Sequence, residues 1–179
     1  MDEPYVHRIY SDIGLEIKNT IPLTEFGFAK KEFDKDKAIL TYPIKHYTYW
    51  EEEDKSVVVG GFGEHFSVLE MDEYSVCIGD CYQMNDAIIQ VSQPGLVNRR
   101  QFRESLRTGW YFRVLQEGNI KEETDLELME RPYPYLSVAA INEAYFTNVQ
   151  DLRMLDEIYA CEALSPMWRK AIRKKLLGI

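Results

Sequence analysis

Short β-prone runs separated by glycine or Asn/Asp fill the chain from about residue 37 to residue 131, a pattern typical of antiparallel strands joined by tight turns. We predict seven strands there, over residues 38–42, 56–59, 66–69, 81–84, 87–91, 110–115 and 126–129. Asn85-Asp86 suits the positive φ values of a hairpin, and Gly118 is predicted to serve the next one. The polar segment 99–106 is more helix-like and is expected to cross one mouth of the barrel or sandwich that these strands form.

Three amphipathic helices are predicted beyond Pro132 and Pro134. Ser137 can cap a helix that continues to residue 146, and Thr147 with Gln150 fits a capping box for a helix over residues 151–162. Ser165-Pro166 begins the third helix. Apolar stripes mark the second and third helices, at Leu152, Leu155, Ile158 and Tyr159 and at Trp168, Ile172 and Leu176.

The chain therefore divides into a mainly β domain over residues 1–134, with a shortened N-terminal part, and a three-helix C-terminal extension over residues 135–179. The 179 residues fit one compact domain with a short appendage. The net charge of −9 disfavours nucleic acid and anionic membrane surfaces as partners. With neither a signal peptide nor a long apolar run, the chain is expected to be cytoplasmic.

The densest group of candidate chemical residues is Glu64-His65, which follows the glycine-rich run 60–63. Such a pair could act as acid and base, or its polar groups could simply face water in a turn between strands. His46, His65 and Glu64 could also form a two-histidine, one-carboxylate metal site, although hydrogen-bonded structural histidines are the simpler interpretation. The three cysteines form no CxxC pair, and acidic neighbours around Cys77 and Cys81 favour inert packing.

Six short motifs follow one another in an order that is specific to one family. They are Asp36-Lys37-Ala38-Ile39 with Tyr42-Pro43, His46-Tyr47 with Trp50, Gly61-Phe62-Gly63-Glu64, Cys77-Ile78-Gly79-Asp80, Gln90-Val91-Ser92-Gln93-Pro94 and Gly109-Trp110-Tyr111-Phe112-Arg113-Val114. The series resembles the MOSC domain, named for the C-terminal domain of molybdenum cofactor sulfurase, in its YiiM-like branch. The tail that contains the run 164–169 is similar to the three-helix extension of that branch. The resemblance implies a MOSC-type β-barrel.

The resemblance also implies a pocket that handles the molybdenum cofactor (molybdopterin) or carries sulfur as a persulfide, and some members support reduction of N-hydroxylated bases. Both roles depend on a cysteine four residues after the Gln-Pro motif, where this chain has Asn98. An amide cannot become a thiolate or ligate molybdenum as a soft anion. The family's His-Gly-Gly segment is also replaced, by Glu32-Phe33-Asp34. Cys77 or Cys81 could in principle take over the thiol's role.

The remaining pocket candidates are Glu64 and Arg113 as catalytic residues and a set of ligand-binding residues: Lys37, Gln93, Asn98, Arg99 and Arg100. Guanidinium and ammonium groups at a barrel mouth suit a phosphate or carboxylate, such as a pterin phosphate. The alternative for Glu64 and Arg113 is an ion pair that closes the barrel. No residue is assigned to a metal.

Three functions fit these observations. The leading hypothesis is a catalytically degenerate MOSC protein with a pocket for a small anionic ligand or pterin cofactor. The second is an enzyme acting on a small N-hydroxylated or nitrogenous substrate, linked to the molybdenum cofactor or to sulfur transfer, with Glu64 as acid or base. The third is an interaction module or homodimer that associates through an aromatic surface formed by Tyr47, Tyr49 and Trp50.

Overall fold

A curled, mainly β structure with three C-terminal helices is seen in the computed structural model, which describes residues 2–28, 34–148 and 150–179. The strands are β1 Tyr5–Asp12, β2 Leu15–Glu16, β3 Ile21–Leu23, β4 Ile39–Pro43, β5 Phe66–Leu69, β6 Cys81–Met84, β7 Ala87–Pro94, β8 Trp110–Gln116, β9 Gly118–Ile120, β10 Thr124–Asp125 and β11 Glu127–Glu130. The helices are α1 Lys45–Glu53, α2 Arg100–Ser105, α3 Val138–Phe146, α4 Leu152–Ala160 and α5 Pro166–Leu177, with a 3-10 turn at Lys35–Lys37. The predicted fold class is confirmed.

The large sheet runs in the order β10-β1-β5-β4-β8-β7-β6-β11, with β2 paired to β1. β4 and β5 are parallel, and the other pairs are antiparallel. Its two outermost strands, β10 and β11, are consecutive in the chain and are separated by the buried residue Leu126 alone. One short segment therefore connects both edges of the sheet and curls it into a half-barrel.

Six of the seven predicted strands are present, and 66–69 and 81–84 have the predicted bounds. The prediction for 56–59 is wrong, because this segment is a loop in which Val58 is 62% exposed. Asn85 has a φ of +49° and turns the β6–β7 hairpin as predicted. The hairpin at Gly118 is wrong, since β9 pairs with β3 rather than with β8. The sequence pattern also missed β1, which pairs with β5 and β10.

The helices begin at capping residues that the sequence only partly indicates. Ser137 caps α3 as predicted, because its side chain accepts a hydrogen bond from the Ala140 amide. The predicted capping box before α4 is wrong: Asp151 is the N-cap, while the Thr147 hydroxyl donates to the Glu143 carbonyl at the end of α3. Leu152 is exposed, but the other predicted stripe residues of α4 and α5 are buried or half-buried.

The helical extension shares a hydrophobic core with the sheet. Ile39, Phe112 and Val91 pack in the same buried cluster as residues of α4 and α5 such as Ile158 and Ile172. The Ser165 amide, just before α5, donates to the Ser92 carbonyl of β7. The extension therefore covers the apolar side of the sheet and forms part of the same hydrophobic core.

A second, smaller core lies between α1 and α2 and is almost entirely aromatic. Its buried members are Tyr42, Tyr47, Trp50 and Phe102. Tyr47 and Trp50 are 2% and 7% exposed, so the aromatic surface expected around them is wrong: most of each ring packs inside the protein. The homodimer itself stays a prediction.

Candidate functional site

The 3-10 turn that contains Lys37 is hydrogen-bonded to the end of β7, the strand that contains Gln93. The Ser92 hydroxyl donates to the Asp36 carbonyl at 2.5 Å, which ties this turn to the end of β7. Gln93 is 2% exposed, and its side-chain Oε1 has no hydrogen-bond partner among the described residues. Lys37 is half-buried and forms no ion pair within the described part of the chain. These two adjoining elements thus carry a cation without an ion-pair partner among the described residues and a buried, unsatisfied acceptor.

Each of the three guanidinium nitrogens of Arg113 donates to an acceptor of the protein. Its Nε lies 2.7 Å from Asp36 Oδ1, and its two terminal nitrogens donate to Gln90 Oε1 at 2.8 Å and to the Ala163 carbonyl at 2.7 Å. The predicted ion pair between Arg113 and Glu64 is therefore wrong. Because Ala163 belongs to the helical extension, Arg113 fastens that extension to the sheet.

Glu64 lies in the aromatic core and not beside Arg113. It is 1% exposed; the Tyr47 hydroxyl donates to its Oε2 at 2.5 Å, and its Oε1 has no hydrogen-bond partner among the described residues. Burial raises the pKa of Glu64 to about 7, although the hydrogen bond from Tyr47 acts in the opposite direction. The interpretation that its carboxyl group faces water is wrong, and Glu64 can hold a proton near neutral pH.

His46 and His65, the two candidate histidines, each make a structural hydrogen bond. His65 Nδ1 accepts from the Leu40 amide at 2.9 Å, and burial lowers the pKa of His65 to about 4, so its ring is neutral. His46 Nε2 lies 2.7 Å from Glu73 Oε1, and Glu73 Oε2 also accepts from the Gly109 amide. Within residues 2–28, 34–148 and 150–179, no His, Cys, Asp or Glu side chains form a group of three that could hold a metal ion.

Asn98, Arg99 and Arg100 are exposed where the chain enters α2. Arg100 pairs with Glu104 at 2.6 Å on the helix surface, whereas Arg99 forms no ion pair with a described residue. All three cysteines are buried and free, and burial raises the pKa of each thiol. Neither Cys77 nor Cys81 therefore presents a thiolate in place of Asn98. Glu32 and Phe33, the altered segment of the predicted pocket, lie outside the described residues.

These residues do not fit a molybdenum centre held by a protein thiolate. Such a centre needs a soft anionic ligand, and the position expected for it carries the neutral amide of Asn98. Lys37 and Arg99 have no ion-pair partner among the described residues, and the buried Gln93 keeps an unpaired acceptor. The sequence motifs indicated these positions but not Asp36 and Tyr47 as the partners of Arg113 and Glu64.

Comparison with known proteins agrees with the fold. The sequence matches the MOSC domain over residues 29–96 and the YiiM-like, three-α-helix domain over residues 136–178. It is 35% identical over 153 residues to the uncharacterized protein YflK of Bacillus subtilis, which covers 78% of this chain and 69% of YflK. It is 32% identical over 139 residues to a protein named Reductase from Gibberella moniliformis, covering 68% of this chain and 25% of the reductase.

A solved structure shows the same architecture over the whole chain. YiiM from Geobacillus stearothermophilus superposes with a TM-score of 0.85 at 29% sequence identity, over 97% of this chain and 99% of that chain. The curled sheet, its motifs and the three C-terminal helices together define a MOSC protein. The chain belongs to the MOSC family, in the branch that carries the YiiM-like three-helix domain. Among the described residues, no helix has the length and apolar character needed to cross a bilayer.

Proposed function

We propose that the chain is a MOSC-fold protein that binds a small anionic ligand and carries neither sulfur nor metal on a cysteine. The observation that carries this proposal is the exposed Asn98 at the thiol position, together with the burial of Cys77, Cys81 and Cys161. A persulfide carrier needs an accessible thiolate, because the thiolate is the form that attacks and accepts sulfur. The retained fold without that group favours binding over sulfur transfer.

The ligand class follows from the groups that remain free. Lys37 and Arg99 supply charge-assisted donors for phosphate or carboxylate oxygens. The unsatisfied Oε1 of the buried Gln93 requires a donor, because an unpaired buried acceptor costs roughly 1–3 kcal/mol. A ligand with an anionic group and ring N–H donors, such as a pterin carrying a phosphate or carboxylate, meets both requirements.

The test is a fluorescence titration of the full chain with pterin-6-carboxylate, with inorganic phosphate as competitor. Lys37→Ala should weaken binding about tenfold, because it removes one charge-assisted hydrogen bond. Lys18→Ala is the matched control, since Lys18 is an exposed lysine on the surface, and it should leave the affinity unchanged. Equal weakening by both variants, or no saturable binding to the wild type, would refute the proposal.

An acid–base enzyme is a second candidate, favoured by the pKa of about 7 at Glu64. The relative named Reductase supports a reaction, and because the match spans a quarter of that protein, electrons would come from a separate domain or partner. Glu64→Gln should then abolish turnover of an N-hydroxylated base in a reductase-supplemented extract, measured by chromatography, while the surface variant Lys18→Ala retains turnover. Unchanged turnover in Glu64→Gln would exclude this role.

A further inference from the structure

A cleft of about 450 Å³ opens between α1, α2 and the loop that joins α1 to β5. Its inner wall is formed by Tyr49, Trp50 and Phe62, with Val57 beside them. Glu53 and Asp54 lie at its rim, at the end of α1. We call this feature the aromatic cleft. It contains none of the residues assigned to the anion site.

The rings of the aromatic cleft stand nearly perpendicular to one another. Tyr49 and Trp50 are 4.9 Å apart at an interplanar angle of 80°, and Trp50 and Phe62 are 6.2 Å apart at 83°. The faces of aromatic rings carry partial negative charge. A cation that contacts the exposed parts of two such rings is attracted to both.

The protein already uses one of these rings to hold a cation. The guanidinium carbon of Arg107 lies 3.6 Å from the centroid of the Tyr49 ring. Arg107 is not among the residues that line the cleft, so the interaction takes place outside it. Tyr49 is thus positioned by an internal cation–π contact while it contributes to the cleft wall.

The charged residues that line the aromatic cleft are all acidic, and the nearby cations Arg100 and Arg107 are already engaged with Glu104 and with the Tyr49 ring. The described residues that line it include Glu53, Asp54 and Glu104 but no lysine or arginine. Glu104 is paired with Arg100, and Asp54 accepts hydrogen bonds from the Ser56 amide and hydroxyl, which lower its pKa and keep it ionised. Glu53 has no ion-pair partner among the described residues, so its carboxylate is free to face a bound cation.

We propose that the aromatic cleft binds a small organic cation, of the quaternary or protonated ammonium class. The perpendicular rings would contact the apolar groups around the nitrogen, and the carboxylate of Glu53 would supply the opposite charge. An anion is disfavoured there by the carboxylates of Glu53 and Asp54, which have no cationic partner among the described residues, and a neutral apolar molecule would gain nothing from them. The site is independent of the anion site and of cysteine chemistry.

The test compares choline with 3,3-dimethyl-1-butanol, which has the same shape without the charge. Binding is followed by two-dimensional NMR of the tryptophan indole N–H signals, with that of Trp50 assigned from a Trp50→Phe variant. Choline should shift the Trp50 signal saturably in the millimolar range, while the neutral alcohol should not. The signals of Trp110 and Trp168, which do not line the cleft, should stay in place.

Two matched variants separate a built site from general attraction to an acidic protein. Glu53→Gln should weaken choline binding about threefold or more, because it removes the free rim carboxylate. Glu51→Gln removes the same charge from an exposed residue of α1 that does not line the cleft, and should change binding little. Equal loss in both variants, equal binding of choline and its neutral analogue, or no saturable shift would each overturn the proposal.

Discussion

Two adjacent residues, Glu64 and His65, should give this protein opposing responses to pH. Burial raises the pKa of Glu64 from 4.5 to about 7 and lowers the pKa of His65 from 6.5 to about 4. Both shifts favour the neutral form in the folded state, as expected for groups removed from water. A neutral glutamate has kept its proton, whereas a neutral histidine has lost one. The two pKa shifts therefore change the free energy of unfolding with pH in opposite directions.

The size of each effect follows from the two pKa values of each residue. Between pH 4.5 and 7 the folded state keeps the Glu64 proton that the unfolded state releases, so stability falls by about 3 kcal/mol as the pH rises. As the pH falls from 6.5 to 4, His65 binds a proton in the unfolded state but stays neutral in the folded state. Stability therefore falls by about 3 kcal/mol as the pH decreases. In the wild type the two contributions largely cancel between pH 4.5 and 6.5.

Single neutral substitutions should separate the two contributions. Glu64→Gln should lose stability relative to the wild type as the pH falls from 7 to 4.5, because it lacks the compensating glutamate. His65→Asn, whose amide oxygen can accept from the Leu40 amide as Nδ1 does, should gain relative stability as the pH falls from 6.5 to 4. Urea unfolding at half-unit steps from pH 4 to 7.5 measures both differences.

Glu127→Gln is the control, since Glu127 is exposed on β11, and its difference from the wild type should vary little with pH. If Glu64→Gln differed from the wild type by a constant amount across pH 4.5–7, the carboxyl group of Glu64 would titrate like an ordinary glutamate. That result would refute the argument that it is buried without a compensating charge.

Three further substitutions test other parts of the structure. Arg113→Ala should lower the free energy of unfolding by about 2–4 kcal/mol, because it leaves partly buried Asp36 unpaired. The exposed control Arg100→Ala should lower it by about 0.5 kcal/mol or less. Equal losses in urea unfolding would contradict the structural role of Arg113. Asn98→Cys should add one rapidly reacting thiol in an Ellman assay of the folded protein, whose three buried cysteines should react slowly. If no reactivity were added, position 98 would not be exposed. Ser137→Ala should cost about 1 kcal/mol through loss of the α3 cap, and an unchanged midpoint of thermal unfolding would rule the cap out.

The parts of the fold that sequence could predict are those determined locally. The strand at 66–69 and the hairpin at Asn85 depend on neighbouring residues, and both were predicted correctly. The run 56–59 has strong β propensity but finds no partner strand, and Val57 and Val59 instead pack on the aromatic core. β1 contains His7, Arg8 and Ser11, and its place in the sheet depends on partners more than fifty residues away.

The candidate site shows the same limit. The motifs drew attention to Glu64 and Gln93, and both side chains are buried with an unpaired oxygen. Their roles in catalysis and ligand binding stay predictions. They could not indicate that Arg113 pairs with Asp36, 77 residues away, or that Tyr47 donates to Glu64. Charged partners at long sequence separation are determined by how the sheet curls, and single-sequence patterns carry no information about that geometry.

We propose that this MOSC chain carries neither sulfur nor metal on a cysteine. The most direct test of this proposal is to purify the full chain from a host that makes the molybdenum cofactor and to measure molybdenum by elemental analysis and protein-bound persulfide by mass spectrometry. We predict neither in the wild type, and any pterin found should be held without stoichiometric metal. Near-stoichiometric molybdenum, or a persulfide on Cys77, Cys81 or Cys161, would contradict the account.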